Sequence, residues 1–397
     1  MKAELMDTRE KIFGRPRILC ADDDPGSLGL IGKILEGRGY EAVCVSSGAE
    51  ALEILRRNDI DMALLDVEMK DMDGFSICRA IKNDRRKSIP VIMVTGHRSK
   101  EDRLRSIEAG AEDFISKPID AIEVLARIGM LLRIKALSDE REMDIEFARK
   151  IQHSLLPWDI PEISGGRAAF TYAPLQDIGG DFVDILYRPG TGELGLFICD
   201  VSGHGVSSAI IASMVKMSLA SWSSCLDSPA ELLAQIRRSL IDKIGDNYIT
   251  ACVCHIHLAT GRMLTACGGH PPILVAGKDG EIREVRGRGN VIYGFIEPGW
   301  EEVETVLDPG DRVILYTDGV FESRRGNDFF GLDRLRDLIV ENRGRAPGEL
   351  CDAIYGAVRD FVGDGGLYDD FTLLAFEYEG QGGSIERRGG RGCRRGE

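Results

Sequence analysis

No run of about 18 consecutive apolar residues, the length a membrane-spanning helix requires, occurs in this 397-residue chain. Residues 1–10 are polar and lack the apolar centre of a secretory leader. Neither a membrane partner nor export is expected, and the chain is read as cytoplasmic. Positive charge is also scarce: 50 Lys and Arg against 65 Asp and Glu leave a net charge of −15. That balance opposes attraction to a phosphate backbone, and no helix-turn-helix text appears, so nucleic acid is not an expected partner. CxxC spacing is absent among the ten cysteines. Cys20, Cys44, Cys199 and Cys267 sit in apolar runs and read as small core residues of a reducing compartment. Cys252, Cys254, His255 and His257 lie in strand-like text, where alternation puts the cysteines on one face and the histidines on the other, against a zinc site.

What is present suffices for sizeable cores: 43% of residues are hydrophobic and 29% charged. At roughly 150 residues per domain, the length suggests two domains and a connector. The apolar runs 17–21, 40–45, 62–66, 91–95 and 113–115 alternate with helical text, which predicts a doubly wound α/β domain on a five-stranded parallel sheet over 16–132. Residues 121–156 read as helical, with 133–156 as a helical linker. Its sevens, counted from Ile134, are interrupted by Arg141 and Asp144, so a homodimer through this helix is plausible without a persistent coiled coil. From 157 to 379, strands with Gly-rich turns are broken by helical runs at 205–220, 229–241, 332–342 and 347–361. They predict an α+β layered β-sandwich domain. The Gly- and Arg-rich tail 380–397 is expected to be disordered.

In the first domain chemistry gathers at strand ends. Asp22 and Asp23 follow the first strand, Asp66 ends the third, Thr95 ends the fourth and Lys117-Pro118 follows the fifth. A doubly wound sheet converges these points on one edge. Carboxylate oxygens there suit a hard divalent ion, with Asp66 as phosphoryl acceptor and Thr95 and Lys117 holding the transferred oxygens. With the turn Asp71-Met-Asp-Gly74 behind Asp66, residues 17–132 resemble a response-regulator receiver. The resemblance implies a Mg2+ site at Asp22, Asp23, Asp66 and the main-chain carbonyl of Glu68. It also implies a switch hydroxyl at Thr95, a switch aromatic at Phe114, an essential Lys117 and a sensor histidine kinase as partner. Lys70 departs from the family pattern, where proline is usual.

Four acidic strings recur in the second domain: Gly179-Gly-Asp181-Phe-Val-Asp184, Cys199-Asp200-Val-Ser-Gly-His-Gly205, Tyr316-Thr-Asp318-Gly319 and Asp369-Asp370-Phe-Thr372. Each sets aspartate at a strand boundary, in most cases with a glycine that permits close backbone approach. Carboxylates gathered this way repel unless cations neutralise them. Two Mg2+ or Mn2+ ions about 3.5–4 Å apart would do so and would activate water for in-line attack on a phosphate ester. No cysteine is followed six residues later by arginine and no GxxxxGK[ST] loop occurs, against a cysteine-dependent phosphatase or a P-loop ATPase. With Ala148-Arg-Lys-Ile-Gln-His-Ser-Leu-Leu-Pro157 and Gly268-Gly-His-Pro-Pro272, residues 145–378 resemble the PPM-type (2C-class) serine/threonine phosphatases of the bacterial partner-switching and sporulation subclass. The resemblance implies metal ligands at Asp181, Asp200, the carbonyl of Val201, Asp318 and Asp369, with Asp370 an alternative to Asp369. Asp184 should point away from that cluster, and His204 and His270 look like loop-shaping residues.

The expectation is therefore a two-component response regulator. Its output is metal-dependent hydrolysis of phosphoserine or phosphothreonine on a protein such as an anti-sigma-factor antagonist, controlled by phosphorylation of Asp66. The rival reading is a phosphorylation-dependent adaptor with a catalytically silent phosphatase-like domain.

Overall fold

A computed structural model describes residues 15–57, 59–84, 88–96 and 100–380, without the side chains of 100–103 and 364. The expected disordered tail therefore falls, beyond Gly380, outside the described residues. The chain divides into two compact units between Met143 and Asp144.

The first unit alternates β1 (Arg17–Ala21), α1 (Pro25–Glu36), β2 (Glu41–Val45), α2 (Gly48–Arg57), β3 (Met62–Asp66), α3 (Gly74–Asn83), β4 (Val91–Thr95), α4 (Lys100–Glu108) and β5 (Asp113–Ser116), before α5 (Ala121–Leu155) begins. The strands pair in parallel in the order β2-β1-β3-β4-β5. Residues of β3 and β4 are buried throughout, because helices cover both faces and leave no solvated side to alternate towards. Alternation instead sorts side chains between two cores. Leu19, Ala63 and Leu65 pack with Ala51, Phe75 and Ile77 on one face. Ile18, Met62 and Leu64 pack with Ile31, Leu35, Val124 and Ile128 on the other. Asp24 and Asp73 start α1 and α3 as N-caps, accepting from Ser27 N at 2.9 Å and Ser76 N at 2.7 Å.

α5 runs 35 residues. Val124, Ile128 and Leu131 bury against the sheet, whereas Met130, Ile134, Leu137, Met143, Phe147 and Ile151 are exposed. No helix among the described residues is long and apolar enough to cross a membrane.

The second unit holds β6 (Gly166–Ala173), β7 (Phe182–Arg188), β8 (Glu193–Val201), α6 (Val206–Ser221), α7 (Pro229–Leu240), β9 (Ile249–His257), β10 (Arg262–Gly268), β11 (Ile273–Ala276), β12 (Ile282–Val285), β13 (Val303–Val306), β14 (Arg312–Tyr316), α8 (Asp318–Phe321), β15 (Arg324–Arg325), β16 (Asp328–Phe329), α9 (Gly331–Glu341), α10 (Pro347–Val362) and β17 (Phe371–Tyr378). Two antiparallel five-stranded sheets form, β13-β10-β9-β8-β7 and β12-β11-β14-β17-β6. Period-two alternation explains the layering. Ile273, Val275, Val313, Leu315, Leu374 and Phe376 enter the core shared with the first sheet, α6 and α7. Their neighbours Leu274, Ile314, Tyr316, Leu373 and Ala375 enter a second core with Leu335, Ile339, Leu350 and Ile354 of α9 and α10. The result is the layered α+β sandwich expected from the strand text.

One reading is corrected. Cys267, expected as a free core thiol, is bonded to Cys252 with Cα atoms 4.3 Å apart. The two face each other directly across the β9/β10 ladder, a register that only strand pairing creates.

Candidate functional site

In the first unit, the carboxyl ends of the strands bring Asp22, Asp23 and Asp66 together, one oxygen from each lying within 4.8 Å of the others. Lys117 Nζ donates to Asp22 Oδ2 at 2.8 Å and to Asp66 Oδ2 at 3.0 Å. Lys117 N donates to Thr95 O at 2.8 Å, which ties the end of β5 to that of β4. Burial lifts the Asp66 carboxyl above its ordinary range, and the Asp22 charge adds to this while Lys117 opposes it. For Lys117 burial works downward, but its bonds to both carboxylates outweigh that and keep the ammonium charged. Gly74 follows from close packing, since a Cβ there would meet the Asp66 carbonyl oxygen at 2.2 Å. Glu68 is exposed, and its backbone supports the Asp66 carboxylate. Phe114 lies half-buried against the first core on β5. Lys70 places its ammonium 3.3 Å from Asp23 Oδ2. An all-oxygen trio at this spacing fits a hard divalent cation.

In the second unit, topology explains the convergence. Asp181 precedes β7 and Asp200 lies near the end of β8, and these strands pair antiparallel with Phe182 opposite Cys199. Asp318 follows β14 and Asp369-Asp370 precede β17, again an antiparallel pair, with Tyr316 opposite Leu373. All five aspartates therefore stand at one end of the sandwich. Two hydroxyls join the sheets there: Thr317 Oγ1 and Thr372 Oγ1 donate to Asp181 Oδ2 at 2.7 and 2.6 Å. Burial, then the charges of Asp318, Asp369 and Asp370, push the Asp200 carboxyl up to about 7. Burial, then Asp369 and Glu322, raise Asp318 to about 6. Asp181 is driven well above its usual range by burial and by Asp200 and Asp370, against the two threonine hydroxyls. These carboxylates thus carry unrelieved desolvation and mutual repulsion, the signature of a donor set suited to cations. They are spread more widely than the trio of the first unit, the only cluster of three among the described residues with ligand oxygens within 4.8 Å.

Asp369 and Asp370 differ in their surroundings. Asp370 is buried: its Oδ1 accepts from Leu175 N at 2.8 Å, and its Oδ2 from Gly180 N at 2.5 Å and Asp181 N at 3.4 Å. Asp369 is exposed, and its Oδ1 accepts from Asp370 N at 2.8 Å. The Val201 carbonyl sits beside Gly180, where a Cβ would come within 2.7 Å of it. Asp184 turns away and accepts from Lys216 Nζ at 2.6 Å, an ion pair between β7 and α6 whose carboxylate is buried and whose ammonium is partly exposed. His204 is exposed, with Nδ1 3.2 Å from Gln176 Nε2. His270 Nδ1 lies 2.8 Å from Thr250 Oγ1, and Thr250 faces Asp200 across the β8/β9 ladder. Burial lowers the His270 imidazole to about 3, so the ring is neutral. Asp200, Thr250, His270, Pro271, Pro272, Asp318, Phe321, Glu322 and Leu332 line an open cavity of about 310 Å³. Thr250, Thr317 and Thr372 had no role in the sequence reading. The last two lay inside the acidic strings, and a hydroxyl one or two residues from an aspartate was the available signal.

Residues 18–129 match the response regulator receiver domain, and residues 190–379 match the family Stage II sporulation protein E (SpoIIE). The chain joins a receiver domain to a SpoIIE-type phosphatase domain. It is similar to the phosphoserine phosphatase RsbU of Bacillus subtilis (strain 168), at 25% identity over 262 residues, covering 64% of this chain and 76% of RsbU. The receiver is similar to the response regulator PleD of Caulobacter vibrioides, at 39% identity over 125 residues, which are 31% of this chain and only 28% of PleD. The SpoIIE-type domain shares its fold with the SiaA-PP2C domain of Pseudomonas aeruginosa, at a TM-score of 0.54 and 20% identity, covering 62% of this chain and 99% of that one. The chain therefore pairs a receiver domain with a SpoIIE-type domain of PP2C fold.

Proposed function

We propose that this chain is a cytoplasmic two-component response regulator whose output hydrolyses phosphoserine or phosphothreonine on a protein of the anti-sigma-factor antagonist kind. The observation that carries the reading is the meeting of Asp181, Asp200, Asp318 and Asp369, from four separate segments, at one open end of the sandwich. Asp181, Asp200, the Val201 carbonyl, Asp318 and Asp369 would hold two Mg2+ or Mn2+ ions. Asp369 is preferred because the oxygens of Asp370 are already committed to backbone N–H groups. When bound, such ions would neutralise the carboxylates and the substrate phosphate and acidify a water. The chain's own residues arrange the site: Thr317 and Thr372 orient Asp181, and Asp370 gathers the loop before it. The cavity beside Asp200 and Asp318 would take the phosphorylated side chain, with Pro271, Pro272, Phe321 and Leu332 against its flanking residues.

In the receiver, Asp66 would take a phosphoryl group from the phosphohistidine of a sensor kinase. A P–N bond breaks and a P–O bond forms, with Mg2+ held by Asp22, Asp23, Asp66 and the Glu68 carbonyl. Lys117 and Thr95 would hold the transferred oxygens, and Phe114 would report their movement. The exposed apolar residues of α5 support a second copy of the chain as partner. The test is phosphate release from a seryl-phosphorylated antagonist with Mn2+ present, for the unsubstituted chain and Asp200→Ala, each with and without receiver phosphorylation. Activity that Asp200→Ala abolishes and phosphorylation alters is expected. Turnover indifferent to the receiver would remove the coupling, and no turnover on any phosphoprotein would favour the adaptor.

A further inference from the structure

The chain carries a net charge of −15, yet three arginines without a carboxylate partner gather on the hairpin β15/β16 and the first turn of α9. Arg324 stacks on Phe329, its partner across the hairpin, with the guanidinium carbon 4.5 Å from the ring centroid. Arg325 and Arg334 stack on a single ring, that of the buried Phe361 in α10, at 4.9 and 4.8 Å. Two guanidinium carbons so near one centroid are at most about 10 Å apart, within a Debye length at about 0.1 M salt. Among the described residues none of the three makes an ion pair, not even with Asp328, which faces Arg325 across the ladder. Arg336, two residues beyond Arg334, does pair, with Glu284. Arg334 Nη1 donates to the carbonyls of Phe329 and Phe330 at 2.6 and 2.8 Å, which fixes the side chain and leaves Nη2 and Nε uncommitted.

The hairpin is also a lip of the cavity beside Asp200 and Asp318: Phe321 and Glu322 line that cavity just before it and Leu332 just after it. Arg324 and Arg325 follow Glu322 by two and three residues, and Arg334 follows Leu332 by two. At about 3.3 Å per extended residue, each of these backbone positions lies within about 10 Å of the cavity wall. Like charges held together without an anion repel one another, and a chain of this net charge repels an acidic partner unless a local positive patch receives it. The rings pre-set the guanidinium planes, so little rotamer freedom is lost when a carboxylate docks on the fork.

We infer that Arg324, Arg325 and Arg334 form a specificity site for the phosphatase reaction, which receives carboxylates of the substrate about two to four residues from the phosphoserine. The inference rests on the phosphatase reading of the aspartate cluster and adds a substrate class to it: phosphoproteins with Asp or Glu flanking the phosphorylated residue.

The test uses the full chain with Mn2+ and two phosphoserine peptides that differ only in carrying aspartate or asparagine at the second to fourth positions on either side. At low salt the parent should prefer the aspartate peptide by about tenfold in kcat/KM, through KM, and the preference should shrink as salt rises. In the double variant Arg324→Gln, Arg325→Gln the preference should disappear. Arg324→Lys, Arg325→Lys, which keeps the charge and loses the fork, should retain part of it. A structural fault lowers kcat/KM for both peptides alike, and an unchanged ratio in the double variant would overturn the inference. Should that variant not fold, Arg324→Gln, which alters only the stack on the exposed Phe329, is read in the same way. A parent that hydrolyses the two peptides equally, or p-nitrophenyl phosphate alone, would overturn the inference and leave the phosphatase reading in place. A parent that hydrolyses none of the three would remove both. Phosphatidylglycerol vesicles bound by the parent and not by the double variant, with the peptides hydrolysed equally, would assign the arginines to a lipid surface instead.

Discussion

Replacing Asp200 by asparagine should stabilise the cation-free phosphatase domain while destroying that domain's ability to take up Mn2+. The Asp200 carboxyl is raised from an ordinary value of 3.8 to about 7 because it is buried among Asp318, Asp369 and Asp370. A folded-state value above the unfolded one means that the folded protein binds the proton more tightly. Stability from this group is therefore fully present below about pH 4 and is lost as pH rises through about 7. A shift of some three units corresponds to about 4 kcal/mol of penalty at pH 8, at about 1.4 kcal/mol per unit. Asparagine keeps the shape and cannot ionise. Its own amide desolvation is the same at every pH, so the informative quantity is the pH-dependent part. Between pH 5.5 and pH 8 the advantage of Asp200→Asn in EDTA should grow by about 2 kcal/mol. Urea unfolding of the phosphatase transition at the two pH values measures this. Saturating Mn2+ should reverse the order, because only the parent gains binding free energy. A stability difference that does not change with pH, or a variant less stable than the parent in EDTA at pH 8, would refute the argument that repulsion among these carboxylates is stored in the fold.

Asp369→Asn should abolish Mn2+ uptake at the phosphatase cluster, leaving that of the receiver trio, with little change in melting temperature, whereas Asp370→Ala should cost about 2–4 kcal/mol by unpairing the N–H groups of Leu175, Gly180 and Asp181. Isothermal titration beside denaturant melts separates the two. Lys216→Met leaves the Asp184 carboxylate buried without its cation and should destabilise the phosphatase domain by about 3 kcal/mol, with Mn2+ binding retained. Asp66→Asn should take up no phosphate from radiolabelled acetyl phosphate, and Lys117→Ala, which loses the ammonium between Asp22 and Asp66, should take it up far more slowly.

The sequence by itself determined most of the first unit. Its strands are buried on both faces, so they read as short apolar runs, and in an alternating β/α chain the strand ends must share one edge; Asp22, Asp66, Thr95 and Lys117 follow from that rule alone. In the second unit the aspartates at strand boundaries were legible one by one, and the turn of Asp184 away from Asp181 followed from the two-residue period of a strand. Their meeting followed only from the family resemblance, because the β7/β8 hairpin is local but β14 and β17 pair residues far apart in the chain, and only that pairing and the packing of the two sheets bring the boundaries together. For the same reason only the tertiary structure separated Asp369 from Asp370: adjacent residues of one charge look alike until the Leu175–Asp181 segment arrives to occupy the oxygens of one of them. It also decided the partner of Cys267, which is a matter of ladder register, and the burial of Gln152 in the last turn of α5. A polar side chain on a helix reads as solvent-facing, since its sequence neighbours carry no trace of the glycine 27 positions later whose backbone groups it satisfies.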